Sequence, residues 1–544
     1  MSYILCNFAD CKILAFPEGG KMPPKYCIKA HSNTTAHSNT KDMRRTLTML
    51  MMAVVAAFAV SARTVTVETT TAGTLQTLVG TSTDDVTELN VSGPINAADM
   101  EFVATKLTAI DVLNLEGATI EPYYGAGHTI NGYMRYDGNM IPPMIFAGIS
   151  ATQVVLPVAD GLAIGEGAFA GAAVKQVTVP SGVTKVGEGA FAGCRDLTTA
   201  EVRCADCLGT DVFANCTSLT SATINSLTKI PARMFDNCSA LNDLKYSSAN
   251  ITAIEDAAFR GCKSLTSFDF GAKITYIGAS AFAESGLQTA DLEPLQQLTA
   301  IGEYAFAGCA ALTDARLSTG IEDIGAGVLL NCGSLNELKL SDDILAYPDA
   351  MLANTALSGK FELPEGVMSM GDYMFANVSG ISEFRMPESL IYVGDGAMSG
   401  MTGLERIFAD TLTHVPQIGA EVWYGVEQPD VKLLVSKDMF DTFSASEQWK
   451  EFDVTMVSGT EDIAAEAVAV KVKARFEGTD IHIIADGADI RHIDLYDAAG
   501  SLLTARDIAS AEAVIPTSSY STRLYVANVI LVSGERVAVK LVRP

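Results

Sequence analysis

Apolar residues recur along the middle of the chain at intervals of 22 to 24 residues, much longer than the period of one helix or strand. One large apolar residue holds the same position in each interval, and we call it the anchor. A recurrence over twelve registers indicates a tandem repeat. The anchors are Phe146, Phe169, Phe191, Phe213, Phe235, Phe259, Phe282, Phe306, Leu329, Met351, Phe375 and Met398.

The residues around the anchor predict one turn and one strand in each repeat. The sequence motif Ile-Gly-x-x-Ala-Phe ends on the anchor in several repeats, and Gly or Asn stands two residues after the anchor in most copies. These residue types best tolerate a left-handed turn. An L-x-x-L-x-L pattern begins five or six residues past the anchor, as at 265–270 and 335–340, and it predicts one short strand per repeat.

A single repeat would leave its apolar side in water, so neighbouring repeats are expected to stack. The predicted fold class is a leucine-rich repeat solenoid, with a parallel β-sheet on one side and short helical or 3-10 turns on the opposite side. After about Asp462 the repeat stops. Short alternating strands at 474–476, 481–484, 493–496 and 524–527 then predict a small all-β sandwich domain.

Segments outside the anchored repeats complete the predicted organisation. The strand pattern appears without an anchor at 86–91 and 110–115, which is typical of an N-terminal cap. A stretch rich in Gly and Tyr predicts an inserted surface loop. The predicted divisions are 63–118 for the N-terminal cap and first repeats, 119–143 for the loop, 144–430 for the array, 431–462 for the C-terminal cap and 463–544 for the sandwich.

The start of the chain predicts export. Two arginines, Arg44 and Arg45, precede an apolar run that ends in Val60-Ser61-Ala62, which together form the three parts of a signal peptide over 43–62. The run is too short and too rich in small residues to span a membrane comfortably. We therefore expect no transmembrane segment in the mature chain. We also expect residues 1–42 to reflect a start codon assigned too early.

The repeat text resembles the BspA-type leucine-rich repeat proteins, which are exported surface proteins of Gram-negative bacteria and of some eukaryotic microbes. The resemblance covers about residues 75–455. It includes the closing segment from Val431 to Phe452, which is similar to the cap that ends many arrays of the family. The resemblance implies adhesion, with an extracellular or host surface protein as partner. It also implies a location outside the cell, either secreted or on the outer surface of a Gram-negative bacterium.

The tail has a resemblance of its own. Its segments at 495–500, 524–526 and 538–543 are similar to the C-terminal sorting domain of the type IX secretion system. The resemblance implies that the tail is an address for secretion.

Charge excludes one class of partner. The chain has 37 Lys and Arg against 64 Asp and Glu, a formal net charge of -27. Such a charge repels phosphate backbones, so no nucleic acid partner is expected.

Candidate chemistry is sparse. The recurring glycines at 165–171 and 187–193 keep the repeat period, so they are interpreted as turn residues and not as a nucleotide loop. The six His are scattered, without an H-E-x-x-H motif or paired spacing to Asp or Glu. No G-x-S-x-G or Walker motif is present. We therefore expect no catalytic residue, no metal site, no cofactor and no enzymatic activity.

Cysteines form a column instead of a cluster. Six stand three places after an anchor, and we interpret them as small buried apolar residues, because parallel side chains do not converge on a metal. The pair Cys204 and Cys207 is expected to form a local disulfide or to have no role. The column consists of Cys194, Cys216, Cys238, Cys262, Cys309 and Cys332.

The remaining candidates for function are the outward strand positions, where side chains between the apolar ones line up from repeat to repeat. Thr occupies the early positions, and both signs of charge follow. A long face with mixed charge suits a polar protein surface, although a plain solvated sheet would show the same pattern. The candidate binding residues are Glu201, Lys245, Asp269, Asp291, Arg316, Lys339, Glu362 and Arg385.

Three hypotheses follow for function. The first is an exported leucine-rich repeat protein that binds a macromolecule through its solenoid face without catalysis. The second is a structural envelope protein whose array is a passive spacer. The third is an enzyme that acts on polysaccharide through an unrecognised site, which should show exposed aromatics and carboxylates on one face; the last outward position of each strand from Thr178 to Arg385 holds no aromatic residue.

Overall fold

The computed structural model describes residues 62–544 apart from 127–132, 226, 458–470, 478, 487, 498–501, 521–523, 533–535 and 544. Residues 1–42 and the predicted signal peptide, except Ala62, lie outside the described residues. Within the described part of the chain, no helix is both long enough and apolar enough to cross a bilayer. The fold described below belongs to the compact unit Thr64–Pro544.

The first repeats use helices where later repeats use turns. Asn96 accepts hydrogen bonds from the amides of Ala98 and Asp99, and the Asp99 side chain bonds back to the Asn96 amide, so the second helix begins with a capping box. The elements are β1 (Arg63–Glu68), α1 (Leu75–Val79), β2 (Val86–Ile95), α2 (Ala97–Lys106), β3 (Val112–Ile120), β4 (Tyr123–Ala126), β5 (Tyr133–Tyr136) and β6 (Met140–Ile141). The predicted loop region therefore contains a hairpin, β4 with β5, and the strand β6.

The array follows as a long alternation of short strands with two 3-10 turns. In chain order they are β7 (Gln153–Val155), β8 (Leu162–Ile164), β9 (Gln176–Val179), β10 (Val183–Val186), β11 (Thr199–Val202), β12 (Ser221–Ile224), β13 (Lys229–Ile230), β14 (Asp243–Tyr246), a 3-10 turn (Ser248–Asn250), β15 (Ala253–Ile254), β16 (Tyr276–Ile277), β17 (Thr289–Asp291), β18 (Ala300–Ile301), β19 (Asp314–Arg316), β20 (Asp323–Ile324), β21 (Glu337–Lys339), β22 (Ala346–Tyr347), β23 (Ser358–Glu362), β24 (Ser369–Met370), β25 (Gly380–Arg385), β26 (Tyr392–Val393), β27 (Arg406–Ala409), β28 (Gln417–Ile418), a second 3-10 turn (Gln428–Asp430), β29 (Lys432–Val435), α3 (Phe440–Ala445) and β30 (Asp453–Met456).

Most repeats contribute two strands, so the prediction of one strand per repeat was wrong. The L-x-x-L-x-L strands pair in parallel as β1-β2-β3-β7-β9-β11-β12-β14, β17-β19-β21 and β23-β25-β27-β29-β30. A second strand, ending at or next to the Ile-Gly text before the anchor, forms the parallel sheets β6-β8-β10, β13-β15-β16-β18-β20 and β22-β24-β26-β28. Most second strands have only two residues, too few to show an alternation in the sequence. The solenoid itself is confirmed.

Anchors form the interior of the array. Phe169 and Phe191 are fully buried with ring centroids 5.2 Å apart, and the other neighbouring Phe anchors up to Phe306 stack at 5.2 to 5.8 Å. The assignment of Met351 as an anchor was wrong. The amide of an anchor donates to the carbonyl of the residue just before the next anchor, as Phe169 does to Ala190. The Leu329 amide donates to the carbonyl of Met351, so Leu352 is the anchor of that repeat. Each anchor and the residues around it form one rung.

Two left-handed residues shape every turn. The residue two places after the anchor has a positive φ throughout, as in Gly171 (66°) and Asn215 (61°), which agrees with the predicted turn. The residue two places before the anchor is also left-handed, even where it is Arg233 or Tyr304. Hydrogen bonds from residue i+3 to residue i, as from Ala168 to Gly165, make these segments successive turns instead of regular helices.

Glycine four places before the anchor lets the rungs approach closely. A Cβ on Gly187 would lie 2.4 Å from the backbone nitrogen of Glu166, and one on Gly302 would lie 2.4 Å from that of Ala279. Backbone cannot move aside as a flexible side chain can, so steric exclusion between rungs explains Gly at these positions, whereas Pro231, Glu255 and Pro348 take the same place in other rungs.

An aromatic cluster closes the array. Trp423 occupies a thirteenth anchor position that the sequence reading missed, with left-handed residues two places on either side. Its ring packs at 5.3 Å from Trp449 and at 4.9 Å from Phe452.

The tail has its own core and two antiparallel sheets, β31-β32-β35 and β34-β33-β36-β37. All four predicted tail strands lie within these strands, and the expected small all-β domain is confirmed. The strands are β31 (Lys471–Glu477), β32 (Asp480–Asp486), β33 (Ile490–Asp497), β34 (Leu502–Ser510), β35 (Glu512–Pro516), β36 (Leu524–Leu531) and β37 (Arg536–Val542).

Candidate binding face

The L-x-x-L-x-L strands present alternate side chains to solvent, as the period of two requires. In β9, Val177 and Val179 are buried while Gln176 and Thr178 are exposed, and β11 repeats this alternation. We call the outward side chains of these strands the front face. We call the outward side chains of the second strands, together with the residue before each strand, the second face.

Parallel pairing holds the front face in register. Thr178, Glu201, Thr223 and Lys245 stand on successive strands as Cα partners. Asp291, Arg316 and Lys339 do the same on β17, β19 and β21. The outward residues predicted from the alternation therefore stand in register within each of these two sheets.

The front face has another outward column that the sequence reading missed. It lies two residues earlier on each strand, and the period-two alternation was the signal for it. Its charged members sit beside the predicted ones: Asp243 bonds to Lys245 at 2.9 Å, and Lys360 pairs with Glu362 at 2.7 Å.

Most of the predicted binding residues already have a partner within the chain. Arg203 donates two hydrogen bonds of 2.8 Å to Glu201, which hold the pKa of that carboxyl below its usual value. Arg316 lies 3.2 Å from Asp314. Lys339 pairs with Glu293. These pairs are exposed to water, which weakens them, so each contributes little to stability and can be exchanged for a ligand contact.

Two predicted residues accept local hydrogen bonds instead. Asp269 accepts from the Ser248 hydroxyl at 2.7 Å and from the Gly271 amide at 3.1 Å. Asp291 accepts from the Glu293 amide at 3.3 Å. Both carboxylates are exposed and remain open to a partner.

Arg385 is held more tightly than the sequence predicts. Its guanidinium bonds to Asp410 at 2.9 Å and stands 4.5 Å from the centre of the Phe408 ring. Its side chain is only 19% exposed and that of Asp410 only 10%. Neighbouring rungs therefore enclose part of the Arg385 side chain, and its role as a binding residue stays a prediction.

The front face is divided between β14 and β17. Tyr246, Phe268 and Phe270 replace the aliphatic residues there, and the Phe268 ring lies 5.0 Å from Tyr246 and 5.1 Å from Phe270. Residues 266–270 form no strand. Glu201 and Lys245 therefore lie in one sheet, Asp269 lies at the break, and Asp291, Arg316 and Lys339 lie in the next sheet.

A shallow depression brings three predicted residues together. Lys339, Glu362 and Arg385 line it, with Asp342 and Lys360 beside them. It lies where β21 ends one sheet and β23 begins the next. The front face is thus indented where its two later sheets meet.

The cysteine column has a structural role. All six thiols are buried, and each donates to the carbonyl of the anchor in the preceding rung, as Cys238 does to Phe213 at 3.1 Å. Burial raises the pKa of Cys238 to about 12. Cys204 and Cys207 form a disulfide with a Cα separation of 5.9 Å.

One histidine of the tail is paired with carboxylates, although the sequence showed no regular spacing between His and Asp or Glu. His492 contacts Asp507 of the neighbouring strand β34 at 2.5 Å and Asp494 of its own strand β33 at 3.0 Å, and these hydrogen bonds raise the pKa of its imidazole. The described residues hold no group of three or more His, Cys, Asp or Glu arranged for a metal ion.

Comparisons with known proteins agree with this architecture. The BspA type leucine-rich repeat region matches in six copies over residues 139–251, 228–358 and 347–428, more than half of the chain. No curated protein matches the chain.

Solved structures of similar proteins come from several bacteria. A leucine-rich repeat protein from Bacteroides ovatus is 20% identical, with 60% of this chain and 83% of that chain covered and a TM-score of 0.39. A leucine-rich cell surface protein from Faecalibacterium prausnitzii is 21% identical, with coverage of 52% and 86% and a TM-score of 0.29. The pneumococcal vaccine antigen PcpA is 12% identical, with coverage of 68% and 80% and a TM-score of 0.31.

Proposed function

The chain belongs to the family of BspA-type leucine-rich repeat proteins, and we propose on this basis that it is an extracellular binding protein that holds a protein partner on its front face without catalysis. The observation that carries the proposal is the paired register of two outward columns with both signs of charge on β17, β19 and β21. A fixed pattern of exchangeable charges favours specificity towards a complementary polar surface.

The contact is centred on the later sheets of the front face. Asp291, Arg316 and Lys339 are exposed there, Asp269 is exposed at the break before these sheets, and the depression beside Lys339 offers the partner a concave place to enter. Glu201 and Lys245 extend the contact on the earlier sheet. Arg385 shapes the depression from below, because Asp410 and Phe408 hold it.

A reversal of four front-face charges tests the proposal. The variant Asp269→Lys, Asp291→Lys, Arg316→Glu and Lys339→Glu leaves the net charge unchanged. The full chain is immobilised and a panel of purified extracellular proteins is passed over it in surface plasmon resonance. We expect a saturable partner for the native chain and at least ten-fold weaker binding for the variant.

The matched control reverses four exposed charges away from the front strands, again without net change. It carries Lys263→Glu, Lys273→Glu, Glu303→Lys and Asp323→Lys, and it should bind like the native chain. Absence of any saturable partner would favour the passive spacer. A partner that binds both variants equally would remove the front face from the proposal.

An enzyme that acts on polysaccharide is less well supported. Sugar-binding sites favour exposed aromatic rings, whereas the aromatic residues of the described front strands are half-buried, as Tyr246, Phe361 and Phe408 are, or fully buried, as Phe384 is. Release of reducing sugar from a panel of polysaccharides by the full chain would restore that hypothesis.

Export and sorting form the second part of the proposal. The predicted signal peptide at 43–62 directs secretion, so N-terminal sequencing of the secreted form should begin at Arg63. The tail is proposed as a sorting domain for type IX secretion, delivering the protein to the outer surface of a Gram-negative cell. Deletion of residues 463–544 should then leave the protein in the periplasm, whereas normal surface display would contradict a sorting role.

A further inference from the structure

A column of exposed residues on the second face changes character along the array. The residue before each second strand is Thr228, Thr252, Thr275 and Thr299 in successive rungs, all exposed. Each later hydroxyl donates to the carbonyl of the preceding threonine at 3.1 to 3.3 Å. This ladder satisfies its polar groups and presents little apolar surface.

The same column becomes apolar in the sheet β22-β24-β26-β28. Leu345, Met368 and Ile391 occupy it, and they remain 54%, 42% and 46% exposed. The Met368 amide bonds to the Leu345 carbonyl at 2.7 Å, and the Ile391 amide bonds to that of Met368 at 2.8 Å. Strands so paired lie about 4.8 Å apart, so the three side chains form one continuous apolar stripe.

Two exposed aromatic rings lie on these rungs or on the rung that follows them. Tyr373 is 51% exposed and Tyr424 is 74% exposed. Tyr373 stands directly over Gly396, where an added Cβ would lie 2.4 Å from its ring. Large apolar groups gathered on neighbouring rungs indicate an interaction surface more strongly than scattered ones do.

A ladder of carboxylates accompanies the stripe. Asp349, Asp372 and Asp395 each follow a stripe residue by four positions, at most about 13 Å along an extended chain. Asp349 accepts the Asp372 amide at 2.8 Å, Asp372 accepts the Asp395 amide at 2.7 Å, and Asp395 accepts the amide of Ala420 at 2.7 Å. These bonds hold three like charges in a row.

The basic side chains in this part of the array are confined to the front strands. Within 341–428, the three Lys and Arg residues are Lys360, Arg385 and Arg406, all on the front strands. Outside β23, β25 and β27 the same span contains eleven Asp and Glu and no Lys or Arg. Some of these carboxylates, such as Asp342 and Asp410, lie at the front face, but every basic side chain of the span is on the front strands. The surface around the stripe therefore attracts cationic groups and repels anionic ones.

We propose that this part of the second face, from Leu345 to Tyr424, is a second binding surface that accepts a basic amphipathic segment of a protein. Apolar side chains of the segment cover Leu345, Met368 and Ile391, and its Lys or Arg side chains reach the aspartate ladder. A second copy of this chain would bring the same negative surface against itself, and like charge opposes that contact. The surface is separate from the front face and does not depend on its function.

Peptide binding to the full chain tests the proposal. The probe is a fluorescent 18-residue helical peptide of Leu and Lys with its Leu on one side, and fluorescence anisotropy follows the titration. A Leu and Glu counterpart tests charge. A Leu and Lys peptide of the same composition in scrambled order tests amphipathic arrangement. We expect saturable binding of the first peptide, at least ten-fold weaker binding of the scrambled one and no binding of the Glu peptide.

Matched variants locate the site. Leu345→Thr with Met368→Thr and Ile391→Thr copies the residues of the earlier rungs, so the fold should be kept, which circular dichroism and the thermal midpoint verify. We expect this variant to bind the Lys peptide at least ten-fold more weakly. Asp349→Asn with Asp372→Asn and Asp395→Asn keeps acceptors for the amides, and it should weaken binding and flatten its dependence on salt.

The four-residue reversal on the front face serves as the control and should leave the affinity for the peptide unchanged. Equal affinity for the Lys and Glu peptides would overturn the proposal, and so would native affinity in the threonine variant. A peptide affinity lost only in the front-face variant would place the peptide on the front face and also overturn it. These outcomes are independent of whether the front face has a protein partner.

Discussion

The rungs from Phe146 to Phe306 and the rungs from Leu329 to Trp423 share one backbone plan but fill it differently. We call the first group the phenylalanine half and the second the mixed half. The phenylalanine half stacks Phe on Phe with a column of buried thiols, and its second face carries the threonine ladder. The mixed half uses Leu, Phe, Met and Trp as anchors, and its second face carries the apolar stripe and the aspartate ladder.

This difference separates the requirements of the fold from those of the surface. Both halves keep the left-handed residues two places on either side of the anchor, because the turn cannot close without them. The interior accepts any large apolar anchor that fills the space. The exposed columns change abruptly between the halves, although the backbone does not require it, and we look for function there.

The largest effect should come from emptying an anchor site. Phe213→Ala removes a fully buried ring from the stack and should lower the free energy of unfolding by about 3–5 kcal/mol, measured by urea denaturation. Phe213→Leu copies the anchors of the mixed half and should cost less than about 1.5 kcal/mol. Equal losses for Ala and Leu would mean that the two halves do not share one interchangeable interior.

A smaller loss should follow from breaking an ion pair between rungs. Arg260 donates two hydrogen bonds, of 2.8 and 2.7 Å, to Asp236, whose side chain is 7% exposed. Arg260→Gln leaves a buried carboxylate and should cost about 1.5–3 kcal/mol in urea denaturation. Lys339→Gln breaks an exposed pair that water screens, and it should change the free energy of unfolding far less than Arg260→Gln does. A cost at Lys339 as large as that at Arg260 would contradict the distinction between structural and exchangeable pairs.

Close approach between rungs should be sensitive to a single methyl group. Gly302→Ala places a Cβ 2.4 Å from the backbone nitrogen of Ala279 and should cost about 1–3 kcal/mol. Gly333→Ala is the control, because its added Cβ meets nothing within 4 Å. Thermal unfolding of both variants checks the prediction, and a neutral Gly302→Ala would show that the rungs can move apart.

The buried thiols should make stability fall at alkaline pH. Burial raises the pKa of Cys238 to about 12, whereas a thiol in the unfolded chain has a pKa near 8.5. The contribution of the neutral thiol is therefore complete below about pH 8.5 and is lost as pH rises towards 12. At pH 9.5 the native chain should have lost about 1.4 kcal/mol more than Cys238→Ala has lost, each compared with pH 7.5. Parallel pH profiles of the two proteins would show that Cys238 ionises freely in the fold.

Much of this architecture could be predicted from the sequence, because it repeats. The Phe column and the Gly or Asn column each describe a requirement that every rung meets alone. The second strands could not be predicted, since two residues such as Lys229 and Ile230 become a strand only through their neighbours. The left-handed residue before the anchor was also hidden, because the turn imposes it even on Tyr304.

The sequence predicted which residues of the candidate face point outward, but it did not predict which of them other residues of the chain enclose. Alternation placed the outward residues of β17, β19 and β21 correctly. It did not reveal that Asp410, from the next rung, encloses Arg385, because that contact joins residues 25 positions apart. The apolar stripe could not be predicted, because the sequence alone does not distinguish exposed apolar residues from buried core residues.

The most direct measurement of the central claim, that exposed columns bind while interior columns only support the fold, is carbene footprinting of the native chain with and without its protein partner, read by mass spectrometry. The account predicts that labelling falls at Asp291, Arg316 and Lys339 and at their neighbours on β17, β19 and β21. Labelling of the Thr228 to Thr299 column should stay constant. Protection confined to the turns or to the tail, with the front strands labelled as before, would contradict the account.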